Sequence, residues 1–326
     1  MKYELQSIFD PELPQCLNDF LNYLGTIKGK SQNTINGYKV DLSMFFKFLK
    51  LYKRLVPSDT DFDSIRIHDI DDFFVQTIRL QDLYAFISFA ENYRENGSYA
   101  RARKVASLKS FFRYLHGKVK IIKENPSTEL ESPKINKRNP VYLTLNESKA
   151  LLNSINGRYK ERDFCIITLF LNCGMRLSEL CSIDISKIKN DTLTIIGKGN
   201  KERTVYLNKS CLKAITNYLA VREKDAGKII DKDALFLSKN NVRISKRTVE
   251  VLVKKYIEKA NLDKDKYTPH KLRHTAATLM YKYGNVDIRS LQKILGHENV
   301  STTQIYTHVD DEKLREAVNS NPLNED

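Results

Sequence analysis

The sequence predicts a mainly α protein with a small β-sheet, divided into an N-terminal helical domain and a C-terminal α+β domain. Three observations carry this expectation. From Leu17 to about Gly117, apolar residues return every three or four positions, the period of a helix stripe. Only two runs, Thr192–Ile196 and Arg203–Leu207, read as strands, and the glycine- and lysine-containing turn 197–201 between them makes a hairpin. The stretch NPSTELESPKINKRNPV at 125–141 holds three prolines and few large apolar residues, so it reads as an extended linker.

Taken in order, the first domain spans 1–124. Ile35, Tyr38, Leu42, Phe45, Phe46 and Leu49 form one stripe, Phe73, Phe74 and Ile78 a second, and Leu83, Phe86 and Ile87 a third. Val105, Leu108, Phe111, Phe112 and Leu115 form a fourth, closed by Gly117 at a C-cap position. After the 125–141 linker, the second domain occupies 142–326. Thr144 followed by Glu147 is a capping box for its first helix. A buried helix from Phe164 to Leu171, a turn at Gly174 and a short helix over Leu177–Leu180 come next. Beyond the hairpin, helices are expected at about 210–224, 246–260, 271–283, 287–295 and 301–307, with a tail helix beginning near Asp310.

Composition narrows the function classes. The 326 residues are 29% charged and 41% hydrophobic, with 12 Gly and 8 Pro, which excludes disordered and collagen-like chains. No apolar run approaches the roughly 18 residues that span a bilayer, so no membrane association is expected. The start, MKYELQSIFDPEL, lacks a secretory signal. Cys16, Cys165, Cys173, Cys181 and Cys211 are scattered without a CxxC pair, which reads as reduced thiols in a cytoplasmic protein. The net charge is +14. Residues 1–130 hold 19 basic and 16 acidic side chains, leaving 35 and 24 for the remainder, yet 94–123 alone carry nine basic residues and one acid, Glu95. Charge concentrated in this way suits a polyanion partner, although a solubility surface is the plainer reading.

The chemistry lies in four short motifs. Neither a Walker loop, nor GxGxxG, nor HExxH occurs, so no nucleotide, dinucleotide cofactor or metal is expected. In GMRLSEL, Arg176 precedes Glu179 by three residues, either as a surface ion pair or as a guanidinium oriented by its carboxylate. Lys198 sits in the hairpin turn, where a lysine is usually just solvated. In HKLRH, His270 and Arg273 share one helix face; in LGHENVSTTQIYTHV, His297 follows a helix-ending Gly296 and a short helix presents Tyr306. Each motif alone is ordinary. Together, two arginines, two histidines, a lysine and a tyrosine can attack a phosphodiester without metal. Guanidinium forks match the charge that builds on the non-bridging oxygens. Tyrosine supplies the attacking oxygen once a neighbour removes a proton whose free pKa is near 10.

From GMRLSEL through IGKGNKER, HKLRH and LGHENVSTTQIYTHV, the chain resembles the tyrosine recombinases, and among them the Xer type. The resemblance spans both domains and implies a core-binding domain before a catalytic one. It implies Arg176 and Arg273 as phosphate clamps, Glu179 as the support of Arg176, and Lys198 as general acid for the leaving 5′ oxygen. It further implies His270 in proton transfer with the tyrosine, His297 as a hydrogen bond to the scissile phosphate, and Tyr306 as nucleophile. Arg101, Arg103, Lys104, Lys109, Arg113, Lys201 and Arg203 are the candidate DNA contacts. The implied activity is site-specific recombination of double-stranded DNA through a 3′-phosphotyrosine. It would run in a homo- or hetero-tetramer on paired half-sites, with a partner recombinase or accessory protein where one exists, to resolve chromosome or plasmid dimers. The alternatives are a mobile-element integrase or transposase, a type IB topoisomerase-like enzyme and a non-catalytic DNA-binding relative. A ribosomal or RNA-binding protein would explain the charge but not the motifs.

Overall fold

A computed structural model describes residues 9–135, 140–197, 202–223, 229–284, 286–296 and 303. The chain divides into two compact units, Met1–Lys137 and Arg138–Asp326. The expected helix at 301–307, apart from the buried Thr303, and the tail helix lie outside the described residues.

Among the described residues, the regular elements of the first unit are all helical. α1 (Gln15–Asn22) runs into a π-helical turn at Tyr23–Ile27, and α2 (Gln32–Tyr52) starts at Ser31, whose hydroxyl accepts the Thr34 amide hydrogen. Short α3 (Asp72–Gln76), α4 (Leu80–Asn92) and α5 (Ser98–Gly117) complete it. The stripes meet in an aromatic core where Phe45, Phe46, Phe86, Phe111 and Phe112 touch largely edge to face, the arrangement their ring quadrupoles favour. The second stripe needs correction: Phe73 is 78% exposed, while Val75 takes the inward position with Phe74 partly buried beside it. The expected linker also begins inside this unit, since Leu130 is buried in its core.

One polar node interrupts that core. Asp41 lies on the apolar face of α2, buried, and accepts from Arg103 (2.7 Å), Lys104 (3.1 Å) and the Ser107 hydroxyl (2.9 Å) of α5. A buried carboxylate requires such partners, and here they pin α2 to α5.

The second unit opens with α6 (Leu145–Asn153). Its capping box forms as expected: the Glu147 amide donates to Thr144 Oγ1 at 3.2 Å and the Thr144 amide to Glu147 Oε2 at 2.7 Å. α7 (Lys160–Cys173) is the central helix, packed against α9 (Lys209–Arg222) and α11 (Pro269–Tyr283). Between α7 and α9 come α8 (Leu177–Cys181) and an antiparallel sheet ordered β1 (Ile188–Lys189), β2 (Thr192–Ile196), β3 (Glu202–Tyr206). The hairpin register pairs Thr192 with Tyr206 and Ile195 with Arg203. The two-residue β1 is a strand that the sequence did not announce. α10 (Lys246–Lys259) and α12 (Ile288–Leu295) finish the described fold. The amide of Leu143, ahead of α6, donates to Thr275 Oγ1 of α11 at 2.9 Å, so the two ends of the unit are tied. All five cysteines are buried thiols, and Cys173 and Cys211 place their sulfurs 3.6 Å apart. Among the described residues no helix is long and apolar enough to cross a membrane.

Candidate active site

The site is built where α7 ends. Gly174 caps the helix in the left-handed region (φ 58°), which favours glycine, and a Cβ there would lie 2.8 Å from Leu295 Cδ2 and force that side chain to shift. The turn delivers Arg176 to the N-cap of α8. There Glu179 holds it twice: the Arg176 amide donates to Oε2 and Nη1 to Oε1, each at 2.7 Å. Glu179 is only 2% exposed, so the pair is not the solvated surface bridge that the spacing also permits.

Two further arginines converge on this carboxylate. Arg203 of β3 places Nη2 at 3.0 Å from Glu179 Oε2, and Arg273 of α11 places Nη1 at 3.9 Å. Burial alone would raise the Glu179 pKa. The Arg176 amide, the charge of Arg203 and the two arginine side-chain hydrogen bonds outweigh burial and hold it below the ordinary carboxylate range.

The same three arginines grip the end of α12. Arg203 Nη1 donates to the Ile294 carbonyl, Arg273 Nη2 to that of Leu295 (2.7 Å) and Arg176 Nη2 to that of Gly296 (2.8 Å). Three consecutive carbonyls thus receive three different guanidinium groups. A helix C-terminus leaves such carbonyls unpaired and carries partial negative charge, so it is a natural seat for cations. Arg273, 3% exposed, also donates from Nη1 to the Gly174 carbonyl at 2.6 Å.

His270 stands one turn before Arg273 on α11, which Pro269 begins. Desolvation, then the charges of Arg273, Lys271 and Arg176, lower its pKa from the ordinary histidine value. Its Nε2 lies 3.1 Å from His274 Nε2. Arg176, His270 and Arg273 line an open cleft of about 530 Å³, whose walls also include Ser178, Lys246 and Glu250. Lys246 and Glu250 belong to no motif and were invisible in the sequence. His274 had a readable signal, four residues after His270 on the same helix face.

Lys198, Lys201, His297 and Tyr306 lie outside the described residues. The structure brings together Arg176, Glu179, His270 and Arg273, and adds Arg203, a residue expected from the sequence at a DNA surface. Arg203 is turned inward, with 14% of its side chain exposed. Lys104 is corrected in the same sense: it is 4% exposed and bound to Asp41. Of the other α5 candidates, Arg103 bonds Asp41 while staying half exposed, Arg101 pairs with Glu91 at 2.5 Å, Lys109 is half-buried, and Arg113 is exposed.

Comparison with known proteins shows the family. Residues 141–313 match the Phage integrase family, and residues 17–118 match the phage integrase N-terminal SAM-like domain. The tyrosine recombinase XerC of Caldanaerobacter subterraneus subsp. tengcongensis is 61% identical over 313 residues, covering 96% of this chain and 88% of the relative. The XerC of Corynebacterium glutamicum is 35% identical, covering 94% and 92%. In fold, the chain is similar to the XerH site-specific recombinase bound to palindromic difH substrate, with a TM-score of 0.69, 23% identity and coverage of 98% and 92%. The chain belongs to the phage integrase family and is a Xer-type tyrosine recombinase, an enzyme of site-specific recombination.

Proposed function

We propose that this recombinase cuts and rejoins double-stranded DNA by transesterification, with Tyr306 as the nucleophile. The phenol oxygen bonds to the scissile phosphorus as the bond to the 5′ oxygen breaks, leaving a 3′-phosphotyrosine and a free 5′ hydroxyl. His270 takes the phenol proton and Lys198 protonates the leaving oxygen. Arg176 and Arg273 bond the non-bridging oxygens, assisted by His297, while Glu179 keeps Arg176 in place. Since one ester replaces another, rejoining is the reverse attack and needs no nucleotide. The observation that carries this reading is the union of Arg176 and Arg273 through one buried carboxylate, with both arginines and His270 on the wall of a single cleft. A fixed guanidinium pair stabilises developing phosphoryl charge without reorganising during the reaction.

In this reading residues 142–326 are catalytic and residues 1–124 bind the core of the site. Four protomers assemble on two DNA sites of paired half-sites, as a homo- or hetero-tetramer, and the reaction resolves chromosome or plasmid dimers. The 61% identity to a XerC over nearly the whole chain favours this role over mobile-element integration. The test is a nicked suicide duplex bearing sites enriched by binding to the Tyr306→Phe protein. Wild type should form a covalent adduct on those sites alone and Tyr306→Phe none. An adduct with Tyr306→Phe, or equal cleavage of any sequence, overturns the proposal.

A further inference from the structure

Arg203 differs from Arg176 and Arg273, whose Nη atoms are also bonded within the protein, in standing off the cleft wall. Both Nη atoms are committed inside the protein, Nη2 to Glu179 and Nη1 to the Ile294 carbonyl, and the side chain takes no part in lining the cleft. Its stem lies against Gly296, where an added Cβ would meet Arg203 Cδ at 2.8 Å and Nε at 3.0 Å. Gly296 is in the left-handed region (φ 65°), so the closing residue of α12 is a glycine for two independent reasons. Through its strand, Arg203 is paired with Ile195 of β2, and so belongs to the hairpin whose turn carries Lys198 in the sequence.

We propose that Arg203 is a positioning residue, which locks the hairpin and the end of α12 to the Arg176–Glu179–Arg273 cluster. It rests on the active-site reading given above. The chain leaves α12 at Gly296, one residue before His297, so the point of departure is set by the three guanidinium–carbonyl hydrogen bonds. The hairpin and α12 lie 91 residues apart in sequence between Arg203 and Ile294, and this one side chain joins them. A lysine keeps the charge but offers a single point donor, which cannot serve Glu179 and Ile294 together as the planar fork does.

The test uses the full-length protein with Arg203→Lys and Arg203→Ala, beside Arg176→Ala and Arg273→Ala. Three quantities are measured: duplex affinity, melting temperature, and the single-turnover rate of adduct formation at saturating protein on the enriched suicide duplex. A misplacement of about 1 Å can cost on the order of 100-fold in rate. Both Arg203 variants should therefore lose about that much at saturation, with affinity within about three-fold, and guanidinium ion should partly restore Arg203→Ala. If affinity and its salt dependence fall while the saturated rate is unchanged, Arg203 is a phosphate ligand and the proposal fails. It fails equally if only the melting temperature falls. Should Arg203→Ala not fold, Arg203→Lys decides the matter by the same criteria. Full-rate cleavage by Arg176→Ala and Arg273→Ala would sink the active-site reading instead, whereas their loss beside unaffected Arg203 variants sinks only the positioning role.

Discussion

The Nε2 atoms of His270 and His274 stand 3.1 Å apart, with the rings nearly perpendicular, so only one proton fits between them. One ring must donate and the other accept, and this arrangement disfavours charging both at once. The charges of Arg273, Lys271 and Arg176 oppose the imidazolium of His270 further.

The first prediction is a titration. In the folded protein His270 should titrate below about 6.5, and so be neutral at pH 7 and able to accept the tyrosine proton. Because the unfolded chain then binds more protons, its contribution to stability is intact above about 6.5 and declines as pH falls toward the folded value. Ring-resonance NMR with assignment by His270→Gln checks the midpoint. A value above 6.5 in the free protein would contradict this account.

Arg176→Ala and Arg273→Ala should each lower adduct formation by roughly 100-fold or more, because stabilisation of phosphoryl charge is removed. Glu179→Gln should lose both activity and stability, the latter by about 3–5 kcal/mol as for other broken buried ion pairs. Denaturant melts and single-turnover assays separate the two effects. The depressed pKa of Glu179 means that its contribution is present above about 4.3 and vanishes only as pH falls through its lower folded value.

Lys198→Ala should be rescued on a substrate whose leaving group is a 5′ thiolate, which needs no proton. Rescue of Lys201→Ala but not of Lys198→Ala would exchange the two lysines. Cleavage should also persist in EDTA, since the proposed clamp is made of side chains, and a strict magnesium requirement for cleavage itself would refute that clamp.

On α5, Arg113→Glu should weaken DNA binding and reduce the salt dependence by about 0.9 in the log–log slope for each phosphate left without its cation. Lys104→Met should behave in the opposite way. Removing the ammonium beside Asp41, which keeps Arg103 and Ser107, should cost about 1–3 kcal/mol of stability with little change in affinity at temperatures below the melt. A calorimetric scan and a salt series on the same two proteins distinguish these outcomes.

Local signals were readable in the sequence and distant ones were not. The Thr144–Glu147 box marked the start of α6 because both partners sit within four residues. β1 escaped because Ile188 and Lys189 are too short a run to show alternation. Lys104 looked like surface because Asp41 is 63 residues away, although an acid at position 41 of an otherwise apolar stripe was a clue. Arg203 was misplaced for the same reason: its charge was visible, while Glu179 and Ile294, which bind it, come from other elements. In the site itself, residue types and order pointed to Arg176, Glu179, His270 and Arg273, which the structure brings together, but not to one carboxylate serving three arginines.

That ratio ties stability to occupancy. Three guanidinium groups share a single carboxylate, so this cluster carries an excess of positive charge, with Arg203 and Arg273 largely out of bulk water. Each anion that settles in the cleft relieves repulsion that the protein alone must tolerate, and folding and binding become linked equilibria. At a ligand concentration roughly 100 times its Kd, mass action adds about 2.7 kcal/mol to the folded state. Simple dianions such as sulfate should raise the melting temperature in wild type and less so in Arg273→Ala. The recombinase is then most durable while it holds its substrate, and more easily unfolded once it lets go.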